Sequence, residues 1–223
     1  MRVAVFALIL VLLSAAAARS AESVQDHSRR QTFVIQCMLA EHRAEIGSGV
    51  VVARAGDVLT LATAAHLVRR GLPLQILDES RQDYYHVLGV SVVPGYDLAL
   101  VQVRAQDAFP VEPVEFGTAA AGEPVWLWGN PGNQFWQFTT GSVLASDAQL
   151  PGAGIARHIT IDCAACTYGD SGSGVFSQDG KLVGILSSGW QDKAGHLLFV
   201  QVEPVTPLEG ALPAARAEPI AAK

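Results

Sequence analysis

Three short segments of the chain carry side chains that together could break an acyl bond. The segment 169–174 (GDSGSG) places Ser171 among glycines, immediately before an apolar run. A serine on such a turn can expose its hydroxyl as a nucleophile, beside backbone N–H groups that stabilise a developing oxyanion. Gly169 gives the backbone the freedom to bring its own N–H next to that of Ser171. Taken alone, a Gly/Ser segment of this kind is more often an ordinary turn.

A serine hydroxyl needs a general base near neutral pH, and His66 is the histidine best placed to act as one. It closes the segment 60–66 (TLATAAH), an apolar strand pattern that runs into small residues and favours a position beside a cleft. Asp97 precedes the apolar run 98–103 (LALVQV), where a carboxylate can orient an imidazole and stabilise its charged form. Each residue also has a structural interpretation, as a satisfied histidine and as a turn aspartate. Together they follow the order His, Asp, Ser.

The elements that must position these side chains are strands. Short apolar or β-branched runs recur along the chain, separated by turn residues such as glycine, aspartate and asparagine. The runs are 33–39, 50–52, 58–62, 74–77, 85–93, 98–103, 125–128, 137–145, 159–162, 174–177, 182–188 and 197–202. Strands at such short intervals are typical of an all-β barrel or sandwich.

The strands fall into two groups, which predict two packed β-barrels. Residues 33–108 form the N-terminal barrel with His66 and Asp97, and residues 124–203 form the C-terminal barrel with Ser171. A connector at 109–123 separates them. The segment 204–223 is rich in proline and alanine and predicts a partly ordered tail, with one short helix near 208–217.

The N-terminus indicates export. Residues 1–18 combine an arginine, an uncharged apolar stretch and small residues suited to cleavage, as in a secretory signal peptide. The polar segment 19–32 predicts a flexible lead-in. We therefore expect a secreted or periplasmic protein that does not remain in the membrane after cleavage, because no later segment is long and apolar enough to span one.

Composition excludes two classes of protein and leaves the cysteines undecided. With 50% hydrophobic residues, 16% charged residues and a net charge of −6, the chain matches neither a disordered protein nor a nucleic-acid-binding one. Cys163 and Cys166 could form a local disulfide; with Cys37, the chain holds either one disulfide and one thiol or three thiols. A second Cys/His pair at zinc-finger spacing is missing from the sequence, so we expect neither metal nor cofactor.

The three segments together resemble the signature segments of the chymotrypsin-like (trypsin-like) serine proteases. The matching stretches are 63–66 (TAAH), 97–100 (DLAL), 169–174 (GDSGSG), 47–51 (GSGVV) and 125–132 (VWLWGNPG). Their compact spacing is similar to the bacterial branch that includes HtrA (DegP-like) proteins and glutamyl endopeptidases. The resemblance covers roughly residues 33–203. It implies two six-stranded antiparallel β-barrels with the active site in the cleft between them.

The resemblance also implies a role for each residue in a serine endopeptidase. Ser171 is expected to be the nucleophile, His66 the general base and then acid, and Asp97 the group that orients the imidazole. The N–H groups of Gly169 and Ser171 would form the oxyanion hole. The strand that pairs with a protein or peptide substrate is expected to include Ser187, Ser188 and Gly189.

The chain departs from this family at the specificity pocket. Ala165 stands where the family carries the residue at the base of the pocket, so no acid is available there for a basic side chain. Leu186 replaces the histidine typical of glutamyl-specific relatives. A pocket formed by Ala165, Gly189 and Gly195 predicts a small or medium apolar side chain at P1, the residue before the cleaved bond. Family members that are activated by cleavage expose a new apolar N-terminus, which pairs with the acid before the serine. The segment 29–32 (RRQT) offers no such N-terminus to Asp170. Nothing in the sequence indicates the oligomeric state.

Other functions fit less well. A catalytically silent, protease-like binding module would keep the fold without turnover. The presence of His66, Asp97 and Ser171 argues against it. An α/β-hydrolase expects Gly-x-Ser-x-Gly and the order Ser, acid, His, whereas Ser173 replaces the second glycine here. No His-Glu-x-x-His motif supports a zincin metalloprotease. Only a short segment follows residue 203, so we expect no PDZ domain.

Overall fold

The structure, a computed structural model, describes residues 24–38, 44–69, 73–79, 84–105, 111–152 and 155–215. The signal peptide predicted for 1–18 lies outside these residues. Two helices accompany the strands: α1 at residues 24–30 and α2 at Thr206–Ala215. The strands are β1 Thr32–Met38, β2 Ala44–Ala55, β3 Val58–Ala64, β4 Leu74–Leu77, β5 His86–Val93, β6 Leu98–Arg104, β7 Pro124–Gly129, β8 Gln137–Ala148, β9 His158–Asp162, β10 Gly174–Ser177, β11 Leu182–Gln191 and β12 Leu197–Pro204. Every strand overlaps a run predicted from the sequence.

The first six strands form one antiparallel sheet in the order β4-β1-β2-β3-β6-β5. Among the described residues, an isolated antiparallel bridge between Ile76 and Tyr85 joins its two ends, so this half is a curled sheet without a complete ladder between β4 and β5. Alternate residues of each strand point inward, as the period of a strand requires. Phe33, Leu59 and Leu61 are fully buried in this core.

The last six strands form a closed antiparallel barrel in the order β10-β11-β12-β9-β8-β7. Its interior contains Val125, Leu127, Ile161 and Val202, all buried. The predicted fold class, an all-β chain with two packed six-stranded antiparallel halves, is confirmed. The halves differ in that only the second closes into a complete barrel.

A third apolar cluster joins the two halves. Leu98 and Leu100 from the first sheet pack in one cluster with Trp126 and Phe176 from the second. The rings of Trp126 and Phe176 stack with centroids 4.8 Å apart. Burying one such side chain contributes about 1.5–3 kcal/mol, so this cluster fixes the relative position of the barrels that frame the cleft.

Helix α2 begins at Thr206, within the segment predicted as a proline- and alanine-rich tail. Val205 and Leu208 are buried in the cluster between the two halves. The first part of this segment therefore belongs to the folded core, because its apolar side chains are spaced to face one side of a helix. Residues 216–223 lie outside the described residues.

The lead-in differs from the flexible segment that its polarity predicts. Residues 24–30 are helical, and the Trp128 indole N–H donates to Gln25 O at 3.2 Å. The guanidinium of Arg29 lies over the Trp128 ring, 5.6 Å from its centroid. Ser28 is buried, and its hydroxyl donates to carbonyl groups one turn earlier in the helix. The polar side chains of this segment thus hydrogen-bond to backbone and attach α1 to the second barrel.

Candidate active site

His66 and Asp97 come together because β3 and β6 are neighbours. The two strands pair antiparallel, with Ala64 opposite Leu98, so the end of β3 meets the start of β6. His66 lies in a short 3-10 turn directly after β3, and Asp97 directly precedes β6. The Ala65 N–H donates to Asp97 O at 3.0 Å and joins the two ends. Small residues at 62–65 are buried and let this corner pack closely.

The Asp97 carboxylate contacts His66 twice, once at the imidazole and once at the backbone N–H, and it contacts Ser187 of β11 once. Nδ1 of His66 lies 2.6 Å from Oδ2, and the His66 backbone N–H donates to Oδ1 at 2.9 Å. The Ser187 hydroxyl also donates to Oδ2, at 2.8 Å. Partial burial raises the pKa of Asp97, but the hydrogen bonds from His66 and Ser187 outweigh it and leave this pKa below its ordinary value. The carboxylate is therefore ionised, and it favours the imidazole tautomer with the proton on Nδ1.

Ser171 reaches the same cleft from the second barrel. It lies in the loop between β9 and β10, and its hydroxyl donates to Ser187 O at 3.2 Å. Ser171 and His66 both line the cleft, yet the structure has no hydrogen bond between these two described side chains. Ser187 is thus shared: its side chain contacts Asp97 and its carbonyl contacts the serine. Hydrogen bonds of a catalytic site are often long or poorly aligned before a substrate binds, so the missing contact does not argue against a catalytic pair.

The peptide between Tyr168 and Gly169 is oriented by a contact from the loop between β7 and β8. The Gly132 N–H donates to Tyr168 O at 3.0 Å. In a planar trans peptide the carbonyl and the N–H point in opposite directions, so the Gly169 N–H is directed away from Gly132. Gly169 has φ +103°, a conformation that residues with a side chain rarely adopt. Within the described residues, the N–H groups of Gly169 and Ser171 donate to no protein acceptor.

Two fully buried polar residues that the sequence did not single out, Ser48 and Asn130, brace this loop. The Ser48 N–H donates to Ser171 O at 2.8 Å, and its hydroxyl donates to Gly169 O at 3.3 Å. The Asn130 side chain donates in turn to Ser48 Oγ at 2.7 Å. Both residues lie in the segments 47–51 and 125–132 that carried the family resemblance. Each of the three contacts, however, joins residues more than 80 positions apart in the chain. Only the packing of the two barrels brings them together.

Asp170, next to the nucleophile, has an unusual environment. The side chain is completely buried, Oδ2 accepts the Thr167 N–H at 2.9 Å, and Oδ1 has no hydrogen-bond partner among the described residues. No lysine, arginine or histidine of the described chain pairs with it. Burial raises the pKa of Asp170 to about 6, although the Thr167 N–H acts in the opposite direction. The carboxyl group of Asp170 is therefore neutral only in mildly acidic solution, below a pH of about 6.

The cleft between the barrels has a volume of about 740 Å³. Ser187, Ser188 and Gly189, predicted to bind substrate, line it. Ala165 and Gly195, predicted for the specificity pocket, do not: Ala165 is exposed in the turn before Cys166, and Gly195 is exposed in the turn between β11 and β12. Ala165 was assigned by counting back from Ser171, and Gly195 by its glycine type; the structure places both side chains outside the residues that line the cleft. The inner wall is instead formed by Cys166, Thr167, Leu186, Leu197 and Val200.

One edge of β11 beside the nucleophile is open. Strand β12 pairs with β11 from Gly184 to Gln191, whereas β10 pairs with β11 only as far as Ile185. Residues 188–191 therefore have a free edge within the described strands. An extended peptide can add to such an edge through main-chain hydrogen bonds.

The cysteines take one of the two arrangements left open by the sequence. Cys163 and Cys166 form a disulfide, and Cys37 is a buried thiol. The disulfide closes the turn that contains Ala165, immediately before the cleft wall. Across the described ranges, no three His, Cys, Asp or Glu side chains are grouped to hold a metal ion.

The two six-stranded halves and the cleft between them define a protein of the chymotrypsin-like class. Comparison with protein families gives the family itself: the model of the trypsin-like peptidase domain matches residues 47–185. Because this match spans more than half of the chain, the chain belongs to the trypsin-like peptidase domain family. The resemblance read from the sequence is thereby confirmed.

Relatives of known name are bacterial. A probable periplasmic serine endoprotease, DegP-like, from Marinomonas sp. (strain MWYL1) is 29% identical over 155 residues, which cover 70% of this chain and 32% of that protein. An HtrA-like serine protease from Staphylococcus aureus (strain USA300) is 28% identical over 165 residues, or 65% of this chain and 20% of that protein. The matched part of the chain thus spans about a third of the length of the Marinomonas protein and about a fifth of the length of the Staphylococcus protein.

Solved structures share the fold at low sequence identity. The Rv3671c protease from M. tuberculosis in its active form has a TM-score of 0.71 and 21% identity, covering 90% of this chain and 85% of that one. The HtrA-type protease AlgW with a tripeptide has a TM-score of 0.70 and 19% identity, covering 88% of this chain and 62% of that one. At these identities the likeness establishes the fold alone.

Proposed function

We propose that this chain is a serine endopeptidase that hydrolyses peptide bonds of proteins or peptides through an acyl-enzyme at Ser171. The observation that carries the proposal is the 2.6 Å contact between His66 Nδ1 and Asp97 Oδ2, in a cleft shared with Ser171. With Nδ1 protonated, Nε2 of His66 carries the lone pair that a general base requires. Membership of the trypsin-like peptidase family supports the same assignment.

Acylation follows from the positions of these groups. The Ser171 oxygen attacks the carbonyl carbon of the substrate while its proton passes to His66 Nε2. The oxyanion of the tetrahedral intermediate accepts the N–H groups of Gly169 and Ser171. The intermediate collapses when the imidazolium returns that proton to the leaving amine, which departs as the first product. Asp97 remains ionised and stabilises the imidazolium.

Deacylation uses the same groups with water. His66 Nε2 takes a proton from a water molecule that attacks the acyl-enzyme, and the second tetrahedral oxyanion occupies the same pair of N–H donors. Its collapse returns the proton to the serine oxygen and releases the carboxylic acid product. Protein and peptide substrates suit this scheme, since the free edge at residues 188–191 can pair with an extended chain.

The wall of the cleft supports a preference for a small or medium apolar side chain at P1. Leu186, Leu197 and Val200 are apolar, and Gly189 leaves space between them. No charged side chain belongs to this wall in the described part of the chain; Glu45 lines the cleft from β2. A buried charge at P1 would lack a counter-ion here and would be disfavoured.

Export completes the proposal: the chain is a secreted or periplasmic enzyme released by cleavage of the leader 1–18. The printed name of the Marinomonas relative places that protein in the periplasm. Across the residues that the structure describes, no helix is long and apolar enough to cross a membrane. Sequencing of the N-terminus of the exported protein is expected to start at Arg19; a start at Met1 would contradict cleavage.

A fluorophosphonate probe tests the nucleophile. Treatment of the folded protein is expected to label Ser171, as identified by mass analysis of its peptides. The label should be lost in Ser171→Ala and strongly reduced in His66→Ala, with thermal unfolding and circular dichroism showing that both variants are folded. A folded wild-type protein that takes up no label would instead indicate the catalytically silent binding module.

A peptide library tests the P1 preference separately. Cleavage is expected mainly after alanine, valine, leucine or methionine. Leu197→Lys would place a cation in the wall and should shift the preference towards acidic P1 residues, whereas the exposed control Leu198→Lys should leave it unchanged. A wild-type profile dominated by arginine, lysine or glutamate at P1 would show the preference to be wrong.

A further inference from the structure

The free edge of β11 receives little support from its own backbone. Residues 188–190 pair with residues 199–201 of β12, and the register of this ladder shifts on both sides of the three pairs. Such irregularities disrupt a ladder locally and bend the strand. The pairing of β10 with β11 has already ended at Ile185, and residues 188–190 are half-buried or exposed. A short ladder on one side is weak support, so side-chain contacts matter for the conformation of this edge.

Gln201 of β12 contacts the two side chains that flank Gly189. Ser188 and Trp190 are two positions apart, so they project to the same face of the strand. The Trp190 indole N–H donates to Gln201 Oε1 at 3.1 Å, and the Ser188 hydroxyl lies 3.5 Å from the same oxygen. Trp190 also stacks on Phe199 of β12, with ring centroids 5.6 Å apart. Gly189 has no side chain, so its position in the edge depends on these two neighbours.

The amide of Gln201 has a defined orientation. The Trp190 indole N–H can only donate, so the Gln201 atom that it contacts is the carbonyl oxygen. The amide nitrogen then faces Glu203 and donates to its Oε1 at 2.8 Å. Oε2 of Glu203 lies 3.0 Å from Nδ1 of His158 on β9, and both residues are buried. Both carboxylate oxygens are thus engaged inside the chain, where they hold the Gln201 amide in place.

We propose that Gln201 is a positioning residue, whose amide, oriented by Glu203, holds the edge 188–190 in register for an extended peptide. This inference rests on the proposed endopeptidase function and gives a role in it to residues that do not touch the reacting atoms. A preorganised edge loses less conformational freedom when a peptide pairs with it, so the contribution appears in binding. Hydrogen bonds that follow one another through a buried site also strengthen each other.

The shift of register at Ser187 separates this edge from the contacts proposed for catalysis. The Ser187 hydroxyl donates to Asp97, and its carbonyl accepts the Ser171 hydroxyl. Ser187 has no partner in the ladder between β11 and β12. A change at Gln201 should therefore weaken the binding of a peptide that extends along the edge. It should leave the reaction of a substrate that occupies only P1 unchanged.

The experiment compares two substrates that share the same P1 residue. One is a fluorogenic peptide with residues P4 to P1, and the other is an ester of the P1 residue alone. Gln201→Met keeps the length of the side chain and removes its hydrogen-bonding groups. We expect KM for the peptide to rise about tenfold with kcat within about twofold, the pattern of lost binding, while kcat/KM for the ester stays within about twofold. An equal loss on both substrates, or an unchanged KM for the peptide, would overturn the proposal.

Variants of Glu203 test whether the amide must be oriented. Glu203 is completely buried and does not line the cleft, so it acts on a bound peptide only through its neighbours. Glu203→Leu removes the acceptor of the Gln201 N–H and should raise KM for the peptide as Gln201→Met does. Glu203→Gln retains a carbonyl acceptor and should stay within about threefold of wild type. Equal KM values for the two Glu203 variants would contradict the orienting role.

Two further variants complete the comparison. If Gln201→Met does not fold, Gln201→Asn replaces it: the amide remains but is one methylene too short to reach Trp190 and Glu203 together, so the same rise in KM is expected. The matched control is Gln75→Met, which changes a half-buried glutamine on β4 of the first sheet and should leave both substrates unaffected. A rise in KM for the peptide as large in the control as in the Gln201 variant would overturn the proposal.

A binding measurement separates this proposal from the endopeptidase function. In Ser171→Ala, which cannot form an acyl-enzyme, the Kd of a fluorescein-labelled peptide with residues P4 to P1 is measured by anisotropy, with and without Gln201→Met. A Kd about tenfold higher in the double variant supports the positioning role even if the wild-type protein has no turnover. Equal Kd values would reject that role, and normal wild-type cleavage would then leave the proposed function intact.

Discussion

Asp97 and Asp170 are two buried or half-buried carboxylates that flank the cleft, one from each half of the molecule. Asp97 follows a turn at the start of β6 and accepts hydrogen bonds from His66 and Ser187. Asp170 lies in the loop before β10 and accepts one, from Thr167. The pKa of Asp97 is below its ordinary value, and that of Asp170 is raised to about 6. The same side chain is therefore a reliable anion on one side and a neutral acid in mildly acidic solution on the other.

The difference teaches how each half holds the side chain that we propose to be catalytic. The first half holds His66 by the paired ends of β3 and β6 and by the Asp97 carboxylate, which also accepts the Ser187 hydroxyl of the second half. The second half holds Ser171 by a glycine-containing loop, whose carbonyls are braced from the other barrel by Ser48. Burial raises the pKa of both carboxyl groups; the donors outweigh burial at Asp97, whereas burial outweighs the single donor at Asp170. Four substitutions, described below in order of decreasing expected effect, probe this contrast.

Asp97→Asn should have the largest effect. An amide can donate to Nδ1 and so favours the wrong imidazole tautomer; in the well-studied serine protease triad this change lowers kcat by about 10⁴. We expect a loss of that order in kcat for a fluorogenic peptide. Asp147→Asn, which removes an exposed partner of Arg157, is the matched control and should be fully active. A loss below about tenfold in Asp97→Asn would show that the carboxylate does not orient the base.

Gly169→Ala should remove one oxyanion donor. A Cβ at this position would clash with the Asn130 carbonyl oxygen, and φ is +103°, so the peptide must move. Loss of one such donor typically lowers kcat by about 10²–10³. Gly122→Ala has a similar φ of +87° but no atom within 4 Å, so it should cost about 1–2 kcal/mol of stability and no activity. Comparable kcat values for the two variants would contradict the assignment.

Ser48→Ala tests the brace between the barrels. It removes the hydroxyl that donates to Gly169 O while the backbone N–H to Ser171 O remains. We expect kcat to fall about fivefold with little change in KM, because one neutral hydrogen bond contributes about 1 kcal/mol. Ser28→Ala removes an equally buried hydroxyl in α1 and should affect stability alone. Equal kinetic effects in the two variants would assign Ser48 a structural role only.

Asp170→Asn should act on stability and in a pH-dependent way. Because the folded pKa of about 6 lies above that of an unfolded aspartate, about 3.9, the folded state binds more protons between these values. Stability of the wild type therefore falls by about 2–3 kcal/mol as the pH rises through 4 to 6. The asparagine variant lacks this term, so its stability relative to wild type should be greater at pH 8 than at pH 4. Denaturant unfolding at both pH values measures it; an equal difference at both would contradict a raised pKa.

Much of the fold could be read from local pattern. Alternation of apolar residues in runs such as 98–103 is a property of neighbouring residues, and each such run became a strand. The lead-in and the tail could not be read in this way. The polar residues of α1 and the apolar face of α2 acquire their partners, Trp128 and the cluster between the barrels, only in the folded chain.

The residues of the candidate site also divide into those that the local sequence predicted and those that only the folded chain brings together. His66, Asp97 and Ser171 were recognisable because short segments carry their chemical types, and the oxyanion donors came from the same loop as the nucleophile. Ala165 and Gly195 were misplaced, since the direction of a loop depends on what it packs against. Ser48 and Asn130 lie in two of the segments that carried the resemblance, but their residue types did not indicate the contacts they make with the Ser171 loop.

The sequence by itself determined the strands, the order of the three catalytic types and the membership of a family, because these depend on the identity and spacing of nearby residues. Tertiary structure alone decided the raised pKa of Asp170 and the bracing of Gly169 by Ser48. Each of these depends on contacts between residues distant in the chain: a carboxyl loses its solvent, or a carbonyl finds a donor. Such contacts are set by how the two barrels pack.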